Sequence, residues 1–527
     1  MLPISELSLG FNDAEQYKKR ENKDLFNKLF IKNKKLDQLL EPSKYFLLGE
    51  KGTGKTAYAV WLSNNNYNET ISSINFIRET EYEKFLYLKK EKNLGLSDYT
   101  NIWKVILLLL ISKKISASDT GLIAKYFKYR ALNNAIDDYY EDAFSPEIIN
   151  AIQFVEESAI SASLLSQYAN ADSNRSSKKT FTESKYQINL LYIQRQFEQA
   201  LSEIKLTQNQ TLFIDGIDLR PTWIPYKDYL ECVKGLANAV WAINNDFFPS
   251  IKDSKGRMKV ILLLRPDIFD AISLQNSNNK IIDNSVFLDW RVPYKEFKTS
   301  ELFKLPNRLL GIGQTNKVIT NNNSNYWDNY FPYTLKSQFE DGEHSFISFL
   351  RFSYYRPRDI VTMLRVLKDI HIEQGIDRFY FIEDDFRNPQ FRRKYSDYLL
   401  GEIKDHLSFY YSDKDYEAFL KFFEFLKGKY SFKYSEYLNC YSQFIHFISE
   451  SGFDTPIFAS TADDFLQFLY ELNVICCVKK TQQHGNRKFW CFKDRTISNM
   501  SPRVTTNCSY EIFYGLGKAL NIGDVFE

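Results

Sequence analysis

The segment Tyr45–Ser63 reads YFLLGEKGTGKTAYAVWLS and joins three local patterns. Its first four residues are apolar and lie shortly after Pro42, which is typical of a short buried strand. Glycine then stands at positions 49, 52 and 54, and clustered glycines predict a tight loop. The residues from Lys55 onward are compatible with a helix. The segment therefore predicts a strand, a glycine-rich loop and a helix in direct succession.

The loop itself, GEKGTGKT at residues 49–56, matches the pattern GxxxxGK(S/T) without exception. Glycine permits backbone conformations in which successive N–H groups turn inward and form a nest for an anion, and the N-terminus of the next helix adds positive potential. The pattern predicts a P-loop that binds nucleotide phosphates. An accidental glycine-rich turn is the alternative, which the flanking strand and helix disfavour. The candidate nucleotide-binding residues are Gly49, Glu50, Lys51, Gly52, Thr53, Gly54, Lys55, Thr56 and Ala57.

Two side chains of this loop carry the expected chemistry. Lys55 would neutralise the β and γ phosphates, and the hydroxyl of Thr56 would coordinate Mg²⁺. The predicted cofactors are therefore ATP and Mg²⁺. No motif specific for a guanine base is visible, so the choice between ATP and GTP stays open.

Two further apolar runs predict more strands of the same sheet. Thr211–Ile214 and Val260–Leu264 are nearly continuous in apolar residues, as expected of strands that are buried on both faces. Between them, Tyr226–Asn244 has apolar residues at helical spacing. Strand, helix and strand in this order form a βαβ unit, which predicts a parallel sheet flanked by helices.

Two acids follow the first of these runs. Asp215 ends an apolar strand, as a Walker B aspartate does, and would hold the Mg²⁺ shell. The alternative is a strand end with a turn-forming residue. No Glu follows Asp215, and Asp218 is the nearest carboxylate that could orient an attacking water. A solvated loop acid is the equal alternative for Asp218.

A third strand ends at Leu264-Arg265-Pro266-Asp267. Because the carboxyl ends of parallel strands line the ligand crevice, Arg265 could face a γ-phosphate in its own or a neighbouring subunit. The alternative is a surface arginine in an ion pair with Asp267 or Asp270. The predicted catalytic residues are thus Lys55, Asp215, Asp218 and Arg265, with Thr56 and Asp215 as the metal ligands.

A second pair of cations surrounds a proline at Arg356-Pro357-Arg358-Asp359. Arg356 or Arg358 could reach the nucleotide from a second subdomain and couple domain closure to the γ-phosphate. The alternative is an ion pair between Arg358 and Asp359 that caps a helix. Arg358 is added to the candidate nucleotide-binding residues.

Composition limits the remaining possibilities. A chain of 527 residues with 44% hydrophobic and 25% charged residues predicts three to four folded domains and excludes a disordered, collagen-like or coiled-coil chain. The net charge of +2 gives no global excess for nucleic acid or an anionic membrane. Aromatic residues reach 16%, and at helical spacing they would pack helices together, with any surface surplus favouring protein partners.

Cysteine usage and hydropathy predict a compartment. The six cysteines include no CxxC pair, so reduced, buried thiols are expected rather than a zinc site or a disulfide framework. The N-terminal residues lack a signal pattern, and the longest apolar stretch, Val105–Ile111, is much shorter than the roughly 20 residues of a membrane span. We expect a cytoplasmic protein without membrane contact. The five histidines are isolated, and no nuclease site is visible.

The carboxy-terminal region has the outline of a winged helix. Amphipathic stretches at Tyr416–Leu426 and Asp463–Leu472 precede two apolar segments, Val474–Val478 and Phe489–Phe492, which flank the turn His484-Gly485-Asn486. The tail Ser509–Leu520 could pack back as a last helix.

Basic residues on the predicted wing allow two interpretations. Their side chains could contact DNA phosphates, which would make the chain an ATP-regulated DNA-binding protein in repair or regulation. A winged helix is also a common protein-interaction module, and lysines on a hairpin often only discourage strand pairing. The residues concerned are Lys479, Lys480, Arg487 and Lys488.

Together these motifs resemble bacterial P-loop ATPases near the STAND and KAP branches of the AAA+ assemblage. The resemblance rests on four stretches, which are Gly49–Thr56, Asp215-Gly216-Ile217-Asp218, Leu264-Arg265-Pro266 and Arg356-Pro357-Arg358-Asp359. More narrowly, three stretches are similar to the FunZ-type P-loop ATPases, namely Tyr45–Ala59, Ile282–Trp290 and Tyr510–Asn521.

The resemblance implies an α/β P-loop NTPase core with a helical lid and a carboxy-terminal winged-helix-like domain. The expected domains are a helical lead-in (1–43), the ATPase core (44–295) with a large α-helical insertion at about 103–205, the lid (296–405) and the winged-helix-like domain (406–527).

STAND relatives act as ATP-dependent switches or scaffolds, often in defence against phage or mobile DNA, and they frequently oligomerise. The resemblance therefore implies a homo-oligomer that controls an effector protein, such as a nuclease encoded nearby. AAA+ motors usually carry Asp-Glu in Walker B, whereas this chain has Asp215-Gly216. That difference favours slow ATP hydrolysis by a switch over rapid hydrolysis by a motor.

Overall fold

A computed structural model describes thirteen stretches of the chain, and every structural statement below concerns them. They are residues 1–77, 96–118, 191, 194–195, 197–199, 201–220, 224–274, 282–314, 325–335, 342–452, 454–481, 485–496 and 499–523. Much of the predicted helical insertion lies outside the described residues, as does His484 of the predicted turn. The part of the insertion that is described includes the helix Leu96–Ser118.

The chain forms two compact units. The first, here called the sheet unit, comprises Asn33–Glu50 and Lys55–Leu288. The second, here called the helical unit, comprises Met1–Lys32, Lys51–Gly54 and Asp289–Glu527. This division groups the first 32 residues with the carboxy-terminal half of the chain, whereas the sequence predicts a separate lead-in that extends to residue 43.

The sheet unit is built on a five-stranded sheet in which every pairing is parallel. The spatial order of its strands is β2-β3-β4-β1-β5. The strands are β1 (Phe46–Leu48), β2 (Thr70–Phe76), β3 (Asn209–Asp215), β4 (Met258–Leu264) and β5 (Ser285–Phe287).

The apolar runs of the sequence become the inner strands of this sheet. Every residue of β1 and β4 is buried, as are all but the first of β3. Parallel strands need crossover connections, and the helix Lys55–Asn64 lies between β1 and β2 while Tyr226–Ala242 lies between β3 and β4. Helices cover the sheet, so neither face of the inner strands meets water. The predicted parallel sheet flanked by helices is thus confirmed.

Two adjacent strands have connections that leave in opposite directions. After β1 the chain crosses to β2, at one edge of the sheet, whereas after β4 it crosses over β1 to β5, at the other edge. In open parallel sheets such a switch point leaves a crevice outside the carboxyl ends of the two strands. Here the switch point lies between β1 and β4, beyond Leu48 and Leu264, which are register partners.

A close helix contact supports the sheet unit from one side. The helix Leu96–Ser118 packs on Tyr226–Ala242, and a Cβ atom at Gly235 would stand only 2.5 Å from Cβ of Tyr99. A glycine is therefore required at this crossing, since any side chain would push the two helices apart.

The helical unit consists mainly of helices with two small antiparallel sheets. One sheet pairs β6 (Thr334–Leu335) with β7 (Glu343–His344). The other has the order β10-β9-β11-β8, formed by β8 (Ser431–Lys433), β9 (Ile475–Thr481), β10 (Gly485–Phe489) and β11 (Ser509–Ile512). The longer helices are Glu301–Gly311, Pro357–Glu373, Pro389–Ser408, Asp413–Phe425, Tyr434–Glu450 and Ala462–Glu471.

Aromatic side chains hold these helices together, as their helical spacing predicts. One cluster stacks Trp327 on Phe331 with ring centroids 4.4 Å apart and continues to Phe346 and Phe349 at edge-on angles. A second cluster, near the carboxy terminus, stacks Phe458 on Phe468 at 4.3 Å. Such pairs add about 0.5–1.5 kcal/mol each beyond the area that they bury.

Two predictions for the carboxy-terminal region are wrong. The second strand of the predicted hairpin is the polar segment Gly485–Phe489 and not Phe489–Phe492, and a short helix, Cys491–Asp494, follows it. The tail begins as a strand, Ser509–Ile512, because it pairs with both β8 and β9 and completes the sheet between them. A helix at Tyr434–Glu450 also lies between the two predicted ones.

Across the described part of the chain, no helix combines the length and the apolar character needed to cross a bilayer.

Candidate functional site

The glycine-rich loop (Gly49–Thr56) leaves β1 at the switch point of the sheet. Its first amide, the N–H of Gly49, donates to the carbonyl oxygen of Leu264 in β4 at 3.2 Å. Gly52 and Gly54 have φ values of +84° and +95°, which side chains other than glycine rarely adopt. The helix that follows begins at Lys55, and Thr56 and Ala57 lie in its first turn. The N–H groups of a first turn precede every intrahelical acceptor and can serve a ligand.

Lys55 is buried inside the loop. It is 7% exposed, and its Nζ donates to the carbonyl oxygens of Gly49 at 2.8 Å and Glu50 at 3.4 Å. Burial lowers the pKa of Lys55, and the nearby carboxylates of Asp218 and Asp215 act in the opposite direction. The loop thus encloses a cation whose charged form an incoming anion would stabilise.

Asp215 meets the first turn of the same helix from the end of β3. Oγ1 of Thr56 donates to its Oδ2 at 2.6 Å, and the N–H of Gly216 donates to its Oδ1 at 2.8 Å. Burial, together with the charge of Asp218, raises the pKa of Asp215 to about 6. A hydroxyl and a buried carboxylate oxygen at this spacing are the hard donors that Mg²⁺ takes from a protein.

Asp218 lies three residues beyond the strand end and is partly exposed. Its charge acts on both Lys55 and Asp215, which places its carboxylate near the two groups. The sequence prediction of Lys55, Thr56, Asp215 and Asp218 as one group therefore corresponds to one neighbourhood in the sheet unit.

Arg265 follows β4 but is not a surface residue. It is 1% exposed, and its guanidinium forms a two-bond ion pair with Asp267, Nε to Oδ1 at 3.1 Å and Nη2 to Oδ2 at 2.5 Å. Its positive charge also lowers the pKa of Lys55. The alternative of an ion pair with Asp267 is confirmed, whereas the surface position is wrong because Arg265 is buried; its partner Asp267 is partly exposed.

The apex of the loop, Lys51–Gly54, belongs to the helical unit and makes backbone hydrogen bonds there. Nη1 of Arg356 donates to the carbonyl oxygen of Lys51 at 3.1 Å, and the N–H of Arg358 donates to that of Gly52 at 3.3 Å. Nε1 of Trp290 donates to the carbonyl oxygen of Thr53 at 2.9 Å. Three successive carbonyl groups of the loop are therefore satisfied by the helical unit.

Ion pairs surround this apex. Nζ of Lys51 lies 3.3 Å from Oε1 of Glu402 and pairs with Asp405 as well. Nη1 of Arg358 approaches the same Glu402 oxygen at 3.5 Å. A Cβ at Gly52 would stand 3.2 Å from Cβ of Arg358, so this glycine leaves room for the Arg358 side chain.

The predicted cap between Arg358 and Asp359 is wrong. Asp359 is fully buried and pairs with Arg356, whose Nε and Nη2 lie 3.0 Å and 2.7 Å from its carboxylate oxygens. Arg356 precedes the helix Pro357–Glu373, and Asp359 lies in the first turn of that helix. The ion pair therefore links the N-cap residue to the first turn.

Sequence reasoning missed Trp290, Glu402 and Asp405. Trp290 occurs in one of the stretches quoted for the family resemblance, but no local pattern gives it a role. Glu402 and Asp405 lie at i and i+3 on the helix Pro389–Ser408, a spacing that predicts only a shared helix face.

The described residues hold no cluster of three or more His, Cys, Asp and Glu side chains arranged for a metal ion. The Thr56 and Asp215 oxygens therefore suit a cation that brings its remaining ligands with it, as Mg²⁺ does with water and phosphate oxygens. Comparison with models of protein families, with curated proteins and with solved structures returns no match.

Proposed function

We propose that the chain binds ATP with Mg²⁺ at the glycine-rich loop and hydrolyses it slowly, as an oligomerising switch that controls an effector protein. The observation that carries this proposal is the buried ammonium of Lys55, 2.8 Å from the Gly49 carbonyl oxygen and beside the Thr56–Asp215 pair. A loop that encloses a cation next to two oxygen ligands is arranged for a phosphate–metal complex.

Each group of the site has a part in binding. The amides of the loop and the Nζ of Lys55 would hold the phosphate oxygens, while Thr56 and Asp215 would hold Mg²⁺. When bound, the metal ion neutralises the charge on the phosphates. Coordination would also remove the cost of ionising the buried Asp215, whose pKa is raised to about 6 by burial.

Hydrolysis needs a group that orients water, and Asp218 is our candidate. It is partly exposed and its charge acts on both Lys55 and Asp215. The position directly after Asp215 is Gly216, which offers no carboxylate. We therefore expect slow turnover. Slow turnover suits a switch, because the ATP-bound state then persists until hydrolysis ends it.

The helical unit supplies the argument for switching. Arg356, Arg358 and Trp290 donate hydrogen bonds to three carbonyl groups of the loop apex. If nucleotide binding changes the conformation of the loop, these three residues must move with it or lose those hydrogen bonds. A response of this kind is how a bound phosphate biases a second arrangement of a protein. The exposed aromatic side chains of the unit, among them Phe379 and Tyr380, offer surface for protein partners, including further copies of the chain.

DNA binding through the carboxy-terminal sheet is the alternative. The charged residues in and around that sheet argue against DNA binding. Lys488, one of the four basic residues, forms an ion pair with Glu511 at 2.6 Å. Arg487 and Lys479 both lie over the ring of Phe489. The helices Asp413–Phe425 and Ala462–Glu471 begin with acidic first turns, which would repel phosphates. We therefore favour a winged-helix-like module that binds protein.

The test is ATP hydrolysis and particle size, measured by light scattering with and without Mg²⁺-ATP. We expect wild type to hydrolyse ATP and to increase in mass with nucleotide, and Lys55→Ala to do neither. Lys255→Ala is the matched control, because Lys255 is an exposed lysine of the same unit. Hydrolysis unaffected by Lys55→Ala would exclude the site, and hydrolysis without any size change would exclude the oligomeric switch.

A further inference from the structure

Two cysteines of the carboxy-terminal sheet meet at one threonine. Sγ of Cys508 lies 3.1 Å from the carbonyl oxygen of Thr505 and 3.6 Å from its Oγ1. Sγ of Cys477 lies 3.8 Å and 3.6 Å from the same two atoms. Both thiols contact the carbonyl oxygen and the hydroxyl oxygen of Thr505, so they are close neighbours although 30 residues lie between them in the sequence.

Strand pairing holds the two thiols in this arrangement. Cys477 belongs to β9, and its register partner in β11 is Tyr510. The hydroxyl of Tyr510 donates to the carbonyl oxygen of Thr505 at 2.7 Å, which fixes the turn that carries Cys508. Cys477 therefore lies in a strand, and Cys508 lies in the bend immediately before β11, the strand that pairs with it.

The two thiols differ in character. A hydrogen bond with Cys477 lowers the pKa of Cys508 to about 6 against the opposing effect of its partial burial, and Thr505, Tyr510 and the charge of Lys479 lower it as well. The same hydrogen bond, together with burial, raises the pKa of Cys477. Cys508 is partly exposed, whereas Cys477 is buried. One thiol is thus ionised and accessible, and its neighbour is a protected proton donor.

We propose that Cys508 and Cys477 form a peroxide-sensitive dithiol site. The Cys508 thiolate attacks the terminal oxygen of a hydroperoxide and the O–O bond breaks. The products are a sulfenic acid on Cys508 and an alkoxide or hydroxide, which takes a proton from solvent to become an alcohol or water. The Cys477 sulfur then displaces the hydroxyl group, which leaves as water with the Cys477 proton, and the disulfide forms. Both electrons removed from the sulfurs reduce the one peroxide. The inference does not depend on nucleotide binding.

The chain offers a matched control in Cys440. Its thiol is partly exposed, like that of Cys508, and donates to the carbonyl oxygen of Phe425 at 3.3 Å. Burial raises the pKa of Cys440, which is the opposite of the shift at Cys508. Exposure alone would make the two cysteines react alike, whereas the arrangement at Thr505 makes only Cys508 reactive.

The first experiment is alkylation of the native full-length chain by iodoacetamide between pH 5 and 9, followed residue by residue by mass spectrometry. We expect Cys508 to react about tenfold faster than Cys440 at pH 7 and to show a midpoint near pH 6. Equal rates at the two cysteines would overturn the proposal. No variant is needed, so misfolding cannot produce the result.

The second experiment treats the native chain with hydrogen peroxide and maps peptides without reduction. Wild type and Cys440→Ser should give a peptide pair linked through Cys477 and Cys508, which a thiol reductant separates. Cys477→Ser should instead accumulate a sulfenic acid on Cys508 that a 1,3-dione probe traps. Oxidation of wild-type Cys508 to sulfinic acid without any linked pair would show that Cys477 is not its partner and would sink the inference.

Discussion

Two lysines are buried at opposite ends of the same parallel sheet. Lys55 lies beyond the carboxyl end of β1 and is 7% exposed, while Lys259 lies near the start of β4 and is 6% exposed. Both ammonium groups donate to two backbone carbonyl oxygens, Lys55 to Gly49 and Glu50. For Lys259 the acceptors are at 2.7 Å and 2.9 Å and belong to Leu39 and Glu41.

Their surroundings differ. The acceptors of Lys259 lie at the carboxyl end of the helix Lys34–Leu40, where a cation stabilises the terminal carbonyl groups. Burial lowers the pKa of Lys259 to about 7, with Glu41 acting weakly against it. The ammonium group of Lys55 instead interacts with the carboxylates of Asp218 and Asp215, whose charges raise its pKa against the effect of burial. Burial of a lysine alone therefore does not indicate a site, whereas a buried lysine with convergent acids at a switch point does.

The largest expected effect is a difference in ATP turnover between substitutions of the two buried lysines. Lys55→Met removes the charge that would hold the phosphates, so ATP turnover should fall by about 100-fold or more. Lys259→Met should leave turnover within about twofold, since its ammonium contacts only the end of a helix. Steady-state phosphate release measures both. A comparable loss in the two variants would mean that burial and not position controls activity.

The next effect concerns Asp215. Its folded pKa is raised to about 6 from an unfolded value near 3.9, so the folded state loses stability as pH rises through this window. Asp215→Asn removes that cost and should raise the free energy of unfolding at pH 7.5 by about 2 kcal/mol without Mg²⁺, while abolishing ATP turnover. Urea unfolding measures the gain, with Asp253→Asn as the exposed control. A loss of stability in Asp215→Asn would contradict the assignment.

The pH dependence of stability should differ between wild type and Lys259→Met. Its pKa is lowered to about 7 in the folded chain, so the unfolded chain binds more protons between that pH and the usual lysine pKa, and stability rises with pH over this range. Between pH 7 and 9, wild type should gain about 2 kcal/mol relative to Lys259→Met. Urea unfolding of both proteins at the two pH values checks this, and parallel curves would show that Lys259 does not titrate there.

The smallest effect is expected at Lys51, on the loop apex. Its pair with Asp405 is open to water, since the Asp405 side chain is 59% exposed, and its less exposed second partner, Glu402, keeps the cation of Arg358 when Lys51 is removed. Water screens such pairs, so Lys51→Met should cost less than about 1 kcal/mol. Thermal unfolding measures the cost against wild type. A larger loss would mean that this third lysine behaves like the two buried ones.

Local patterns made much of the sheet unit predictable. The glycine-rich loop, the strand before it and the helix after it are contiguous. Strands β3 and β4 contain the nearly continuous apolar runs Leu212–Ile214 and Val260–Leu264, so each element could be inferred from neighbours in sequence. The partners of the loop apex could not. Trp290, Arg356 and Glu402 reach residues 51–53 only because distant segments of the chain fold together, and a single sequence holds no record of such pairings.

The errors near the carboxy terminus have a related cause. β10 is an edge strand with one paired side, so it needs no apolar run, and the apolar segment beside it becomes a short helix instead. Likewise, Ser509–Ile512 is a strand only because β8 and β9 stand on either side of it. In both places tertiary contacts and not local periodicity decide the structure.

The position of β1 in the sheet has a consequence for biogenesis. β1 pairs only with β4 and β5, which begin at Met258 and Ser285, and the first amide of the glycine-rich loop bonds to Leu264. During synthesis, β1 and the loop therefore emerge long before any strand that can hold them. A chain released before β4 is complete would carry the entire motif in its sequence but could not form the loop, so the nucleotide binding that we propose would become available only late in translation.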